Sequence, residues 1–179
     1  MRLNINNIPV FVSTSWHWRA EKSSDFREKC RKLIACAAEK FIHPKKHLSV
    51  SHTSHLGGFA VANSPVGFDL EPYGRKVSPQ AFRRFSTAQE RELQLDPLQI
   101  WVMKEAAWKS LRGPHQPDTI TQIQITKVTR IKKRNNHLFE FKSCKINGLK
   151  SFGQGIILCD SRTIMGIALT LSRPPSTLV

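Results

Sequence analysis

Three carboxylates in this chain have the types and spacing that suit a divalent metal ion. Asp69 and Glu71 stand two residues apart in a short apolar run, and Glu105 follows later in the chain. If the run is a strand, alternate side chains share a face, so both acids point the same way. Mg²⁺ takes oxygen ligands and keeps waters and substrate phosphates in its shell. These residues predict a site for Mg²⁺, which Mn²⁺ could also occupy. For each acid taken alone, a solvated surface carboxylate is the competing interpretation.

Two lysines accompany Glu105. Lys104 precedes it directly, and Lys109 lies four residues on, which places Lys109 and Glu105 on one face of a helix. Carboxylates that hold a metal, with lysines beside them, could move or cleave a phosphate ester because the cations neutralise phosphate charge. The competing interpretation is a solvated helix face whose Glu–Lys pair contributes little to stability.

The hydrophobic pattern predicts the strands that must position the acids. Short strands are expected at residues 47–53, 56–62 and 65–71, and in the third strand Phe68 and Leu70 alternate with the acids. This alternation predicts that the acids point away from the core.

Helices are expected before and after these strands. A short helix is predicted from Ser78 to Phe85. The capping-box signals at residues 86–90 predict the start of a second helix. Pro97 begins a longer helix that runs to about Leu111. Helical spacing also predicts a helix from Asp25 to Phe41. The C-terminal part, Ile120 to Leu171, predicts an antiparallel sheet with hairpin turns at 134–137 and 160–162.

Three segments together resemble the 4′-phosphopantetheinyl transferase family. Gly67-Phe68-Asp69-Leu70-Glu71 is similar to the family's G-[IV]-D-x-E segment, with Phe68 in place of the usual Ile or Val. The segment from Trp101 to Lys109 is similar to its W-x-x-K-E-A-x-x-K segment. Ser49-Val50-Ser51-His52-Thr53-Ser54 resembles the N-[IV]-S-H-[ST] strand of the surfactin-type, two-lobed branch. The segments occur in the family's order and with similar spacing.

This resemblance implies an α+β fold of two pseudo-symmetric lobes, each a small antiparallel sheet with packed helices. Residues 1–64 would form an abridged first lobe on the coenzyme A side, and residues 65–175 a second lobe that carries the metal site. The two would make one catalytic unit, and we expect a monomer. The short first lobe leaves the family's N-terminal cations unplaced, with Arg19, Lys22 and Arg27 as candidates.

The resemblance also implies a reaction and a set of site residues. Members of the family transfer the 4′-phosphopantetheine arm of coenzyme A to a serine of an apo acyl carrier protein and release 3′,5′-ADP. By position, Asp69, Glu71 and Glu105 correspond to the metal ligands. Glu105 is also the candidate base that removes the serine proton, and the choice between base and ligand stays open. The residues that would contact coenzyme A are Lys45, Lys46, Ser51, His52, Lys104 and Lys109, with Lys109 catalytic as well.

The charge of the chain fits an acidic partner. It has 28 Lys plus Arg against 13 Asp plus Glu, a net charge of +15. Such a surface attracts anionic partners and speeds their encounter. The resemblance implies that carrier-protein docking falls on Arg83 and Arg84, whose competing interpretation is a pair of solvated arginines. The basic charge of the stretch 127–150 makes it a second candidate docking patch. A fatty-acid carrier is expected, and a polyketide or peptide carrier is the alternative.

Two other functions are open. A nucleic-acid-binding module could use the basic stretch 127–150, with Trp16 and Trp18 as stacking platforms. The carboxylates argue against this module, because acids repel a polyanion unless a metal intervenes. A degenerate family member that binds coenzyme A without turnover is the second alternative.

The sequence also predicts a cytoplasmic location. The first twelve residues contain no apolar run of signal-peptide length, and no stretch approaches the roughly 20 apolar residues of a membrane span. The cysteines are scattered and are expected to be reduced.

Overall fold

Two antiparallel sheets carry most of the described chain, which makes it an α+β protein. The computed structural model describes residues 1–15, 32, 47–53, 56–111, 113–131, 136–144, 148 and 150–172. The first sheet has the strand order β1-β2-β4-β3. Its strands are β1 Arg2–Ile5, β2 Ile8–Ser15, β3 His47–His52 and β4 Gly57–Ala62.

The second sheet has the strand order β5-β9-β8-β7-β6. Its strands are β5 Val66–Pro72, β6 Ile123–Ile131, β7 Asn136–Cys144, β8 Lys150–Cys159 and β9 Thr163–Leu171. Between β5 and β6 lie three α-helices and two 3₁₀ turns: α1 Pro79–Phe85, α2 Ala88–Arg91, α3 Pro97–Ser110, and the turns Gly113–His115 and Ile120–Gln122. Among the described residues, no helix is long and apolar enough to cross a membrane.

The second sheet lies between the first sheet and helix α3. On one face of β5, Phe68 and Leu70 join an apolar cluster with the first sheet. On the opposite face, the helix packs on the sheet through a second cluster that includes Val102, Ala106 and Phe139. Asp69 and Glu71 lie on this helix-facing side of β5, as the alternation predicted, but both are buried there at 4% and 9% exposure.

Two glycines allow α3 to approach the sheet closely. A Cβ on Gly67 would lie 1.8 Å from the carbonyl oxygen of Ala106, and a Cβ on Gly166 would lie 2.8 Å from that of Val102. Gly166 is also the cross-strand neighbour of Asp69. Because neither position carries a side chain, the helix sits directly over the strand that holds the acids.

The helix starts are set by local capping. Ser78 caps α1 by accepting from the Ala81 amide at 3.1 Å. Thr87 and Glu90 form a capping box on α2, and Asp96 forms another on α3 just before Pro97. Polar side chains at these positions accept hydrogen bonds from the backbone N–H groups that have no partner within the first helical turn.

The described elements follow the sequence expectations closely. The three predicted helices and the strands before them begin and end within a few residues of the expected positions, and a turn at 160–162 joins β8 to β9. The chain passes from the first sheet to the second at residues 63–65. The predicted helix at 25–41, apart from Lys32, and residues 134 and 135 of the predicted turn at 134–137 lie outside the described residues. The other two turn residues, Asn136 and His137, begin β7.

Candidate active site

The edge strands of the two sheets, β3 and β5, lie next to each other near α3. Strand β3 is the last strand of the first sheet, and β5 is the first strand of the second. The Phe68 amide of β5 donates to the Ser49 hydroxyl of β3 at 2.9 Å, so a side chain joins the two edges. This junction brings residues from β3, β5 and α3 into one place.

Asp69 is the centre of a hydrogen-bonded cluster at this junction. The Lys109 ammonium lies 2.6 Å from Asp69 Oδ1, and the Ser51 hydroxyl donates to the same oxygen at 2.8 Å. Lys109 also donates to the Ser51 oxygen at 3.3 Å. The three segments that the sequence singled out therefore converge on one carboxylate.

The second oxygen of Asp69, Oδ2, is in a different situation from Oδ1. Oδ2 is buried and receives no hydrogen bond from the described part of the chain. A buried carboxylate oxygen without a donor is costly and rare, and it calls for an explanation such as an ion. Oδ2 therefore has the chemistry and the open lone pairs of a cation ligand.

Glu71 pairs with a different positively charged side chain, that of Arg75. It forms an ion pair with Arg75, four residues on, and its side chain is 12% exposed. Burial raises the pKa of the Glu71 carboxyl most strongly; Arg75 lowers it, and the negative charge of Asp69 raises it. The guanidinium of Arg75 lies 5.9 Å from the ring centre of Trp101, which itself meets the Phe85 ring edge-on.

Glu105 lies half-buried on α3 among the same charges. Burial raises the pKa of its carboxyl, the charge of Asp69 raises it further, and Lys109 and Arg75 oppose this. The charges of Asp69, Lys109 and Arg75 that act on Glu105 are the same three that act on Glu71.

The carboxylates are not arranged as a ready-made metal centre. Over the residues that the structure describes, no three His, Cys, Asp or Glu side chains form a group that could hold a metal ion. Asp69 and Glu71 instead face Lys109 and Arg75. The donor set itself fits Mg²⁺, because it consists of carboxylate oxygens, one of which, Asp69 Oδ2, is buried and has no partner among the described residues.

Lys104 does not lie where a phosphate could reach it, which corrects the expectation that it contacts coenzyme A. Its side chain is fully buried, and its ammonium lies 3.0 and 2.9 Å from the two carboxylate oxygens of Glu90. Glu90 also accepts from the backbone amides of Thr87 and Ile125. Burial lowers the pKa of Lys104 and Glu90 opposes this. Lys104 thus ties α3 to α2, and Glu90 extends the link to β6.

The remaining candidates are spread more widely. His52 is exposed and points to the opposite face of β3 from Ser51. Arg83 and Arg84 are exposed in the last turn of α1. Lys45 and Lys46 lie outside the described residues.

Two residues of this region were missed in the sequence. Arg75 follows Glu71 by four residues, but the loop it occupies has no periodicity that would relate the two side chains. Glu90 was recognised only as part of a capping box, and its pairing with Lys104 depends on how α2 packs against α3.

Comparisons of the whole sequence gave no protein-family model that matches this chain and no significant match among curated proteins.

Proposed function

We propose that this protein is a Mg²⁺-dependent 4′-phosphopantetheinyl transferase of the two-lobed type. It would transfer the phosphopantetheine arm of coenzyme A to a serine of an apo acyl carrier protein. The observation that carries the proposal is that Ser51 and Lys109 both donate to the buried carboxylate of Asp69. The charges of Asp69, Lys109 and Arg75 also act on Glu71 and Glu105. The two sheets are compatible with the two-lobed fold that the motifs imply.

The reaction requires one bond to form and one to break at phosphorus. The carrier serine oxygen forms a bond to the β-phosphorus of coenzyme A, and the bond from that phosphorus to the bridging oxygen breaks. The leaving 3′,5′-ADP keeps the electron pair, and the serine proton passes to a base. Glu105 is our candidate base because its pKa is raised by burial, which makes it a better proton acceptor than an ordinary glutamate.

The cations of the site would act on the diphosphate. Lys109 is 24% exposed at its side chain, so its ammonium can be reached while it stays beside Asp69. A positive charge held there favours the charge that builds on the leaving phosphate. Ser51 supports Lys109 and Asp69 from the other sheet edge, which makes it a positioning residue.

A metal ion, when bound, would neutralise diphosphate charge and help to orient the group. Asp69, Glu71 and Glu105 are the residues that would hold it. Mg²⁺ is the expected metal because its usual protein sites combine one or two carboxylates with substrate phosphates.

The first prediction concerns the activity itself. Purified protein incubated with coenzyme A, Mg²⁺ and an apo acyl carrier protein should add one phosphopantetheine arm to the carrier, measured by intact-mass spectrometry. Asp69→Asn should slow this about 100-fold or more, because it removes a charge from the metal and lysine site. EDTA should abolish it. Asp118→Asn, at an exposed acid in a loop, is the matched control and should retain the wild-type rate.

The alternatives give other results. Coenzyme A binding without any mass gain on several carriers would identify a degenerate binder. Nucleic-acid binding that weakens steeply with salt and survives Asp69→Asn would favour the nucleic-acid module. Exposed Lys127, Arg130, Lys142 and Lys150 on the second sheet are the observation that keeps this module as the second candidate.

A further inference from the structure

We propose that Arg75 is an exchangeable counter-ion of the site, which leaves Glu71 when a divalent cation binds and then holds a phosphate of the diphosphate substrate. This inference rests on the proposed function and adds an anion-binding residue that the sequence motifs did not indicate. It follows from three features of Arg75: its partner, its support and its exposure.

The partner of Arg75 is a residue that a metal would also need. Arg75 pairs with Glu71, one of the carboxylates proposed to hold Mg²⁺. A guanidinium and a divalent cation compete for the same carboxylate oxygens, so the binding of one weakens that of the other. Arg75 is therefore a competitor of the metal at Glu71.

The ring of Trp101 keeps the guanidinium near the site after the exchange. The Arg75 guanidinium carbon lies 5.9 Å from the ring centre, within the range of a cation–π contact. Trp101 is fixed in turn by an edge-on contact with Phe85, at 5.1 Å between ring centres. Because the aromatic support does not depend on Glu71, Arg75 can turn to another anion without leaving the site.

Exposure makes Arg75 accessible to a substrate. Its side chain is 49% exposed, whereas that of Glu71 is 12% exposed. An anion arriving from solvent therefore meets the guanidinium before it meets the carboxylate. Arginine suits this role because its planar fork binds phosphate oxygens in pairs.

The charge balance gives the exchange a direction. With every described group of the site counted as ionised, Asp69, Glu71 and Glu105 carry three negative charges against two positive charges on Lys109 and Arg75, a sum of one negative charge. A divalent cation changes this sum to one positive charge. The site then favours a diphosphate, and the guanidinium released from Glu71 is available to bind it.

Two binding measurements on Arg75→Gln test the exchange, because they should change in opposite directions. Without coenzyme A, Mn²⁺ affinity measured by electron paramagnetic resonance should rise about two- to fivefold, since an exposed ion pair no longer competes. With saturating Mg²⁺, coenzyme A affinity measured by calorimetry should fall about tenfold, since a charged hydrogen bond to phosphate is lost. Arg75→Lys should keep the weaker Mn²⁺ binding and lose only part of the coenzyme A affinity.

Lys76→Gln is the matched control, because it removes the same charge from the neighbouring exposed position in this loop. It should change neither affinity by more than the general charge effect. The inference is overturned if Arg75→Gln leaves coenzyme A affinity unchanged, or if it lowers both affinities together, as local disruption would. If the wild-type protein modifies the carrier and Arg75→Gln behaves like Lys76→Gln, the role of Arg75 is ruled out and the proposed function stands. If the wild-type protein binds neither Mn²⁺ nor coenzyme A, the proposed function is ruled out as well.

Discussion

Single residues of the candidate site combine binding chemistry with a cost in stability. Glu105 is a half-buried acid close to the charge of Asp69, and burial and that charge together raise its pKa. Such surroundings cost the ionised carboxylate more free energy than water does, so its ionised form opposes folding. Sites that bind cations or move protons commonly accept this cost.

The pH dependence of stability should reveal this cost. The folded protein holds the Glu105 proton more tightly than the unfolded chain, whose glutamate titrates near the ordinary value of 4.5. Between that value and the raised folded pKa, the folded state binds more protons, so stability falls as pH rises. Glu105→Gln should therefore raise the free energy of unfolding of metal-free protein at neutral pH. The gain should disappear below pH 4.5.

Urea unfolding of both proteins, in EDTA and across this pH range, measures the effect. Glu92→Gln is the control, because Glu92 is an exposed acid just after α2. The explanation is wrong if Glu105→Gln lowers stability at neutral pH, or if its effect does not change with pH. With Mg²⁺ and coenzyme A present, the same substitution should slow transfer.

At the scale of elements, helix α3 separates a structural face from a site face. Lys104 and Glu105 are adjacent in sequence, and successive side chains on a helix point about 100° apart. Lys104 therefore reaches Glu90 in the buried layer, while Glu105 lies among the charges of Asp69 and Arg75. The buried pair fixes the rotation of the helix that presents Glu105 and Lys109.

Removing one partner of this pair should destabilise the protein strongly. Lys104→Met and Glu90→Gln should each lower the free energy of unfolding by about 3–5 kcal/mol. Lys104→Met leaves the buried Glu90 carboxylate without its counter-charge, and Glu90→Gln leaves the buried Lys104 ammonium without its own. The double variant should cost clearly less than the sum of the two, since neither charge remains buried alone. Denaturant midpoints of the four proteins give the coupling. Additive losses would show that the two side chains do not act as a pair.

Local patterns in the sequence identified elements better than contacts between elements. The alternation in β5 correctly separated Phe68 and Leu70 from Asp69 and Glu71. It could not show that α3 covers the acidic side, because that depends on the close approach at Gly67. The burial of Lys104 was missed for the same reason, since i and i+4 spacing says nothing about a partner on another helix.

The sequence predicted some residues of the candidate site and missed others. The motifs selected Ser51, Asp69 and Lys109, and these side chains are hydrogen-bonded to one another. Arg75 was not selected, because its relation to Glu71 and Trp101 comes from the path of a loop. Residues joined by regular elements could be predicted, and residues joined by loops or by packing between helices could not.

At the scale of the whole molecule, the net charge of +15 bears on partner choice. Positive side chains are exposed both on α1, at Arg83 and Arg84, and on the second sheet, at Lys142 and Lys150. Both surfaces would attract an acidic carrier protein, so net charge alone does not identify the docking surface. The dependence of the rate on salt can separate the two.

Raising salt from about 0.05 to about 0.5 M should lower kcat/KM for the acyl carrier protein about tenfold, because screening removes electrostatic steering. If α1 is the docking helix, the double variant Arg83→Gln and Arg84→Gln should be slower at low salt and should show a shallower salt dependence. The double variant Lys142→Gln and Lys150→Gln removes the same charge elsewhere and should keep most of the wild-type slope. Equal losses in both variants would mean that overall charge, rather than α1, attracts the carrier. A rate for the wild-type protein that does not change with salt would exclude steering altogether.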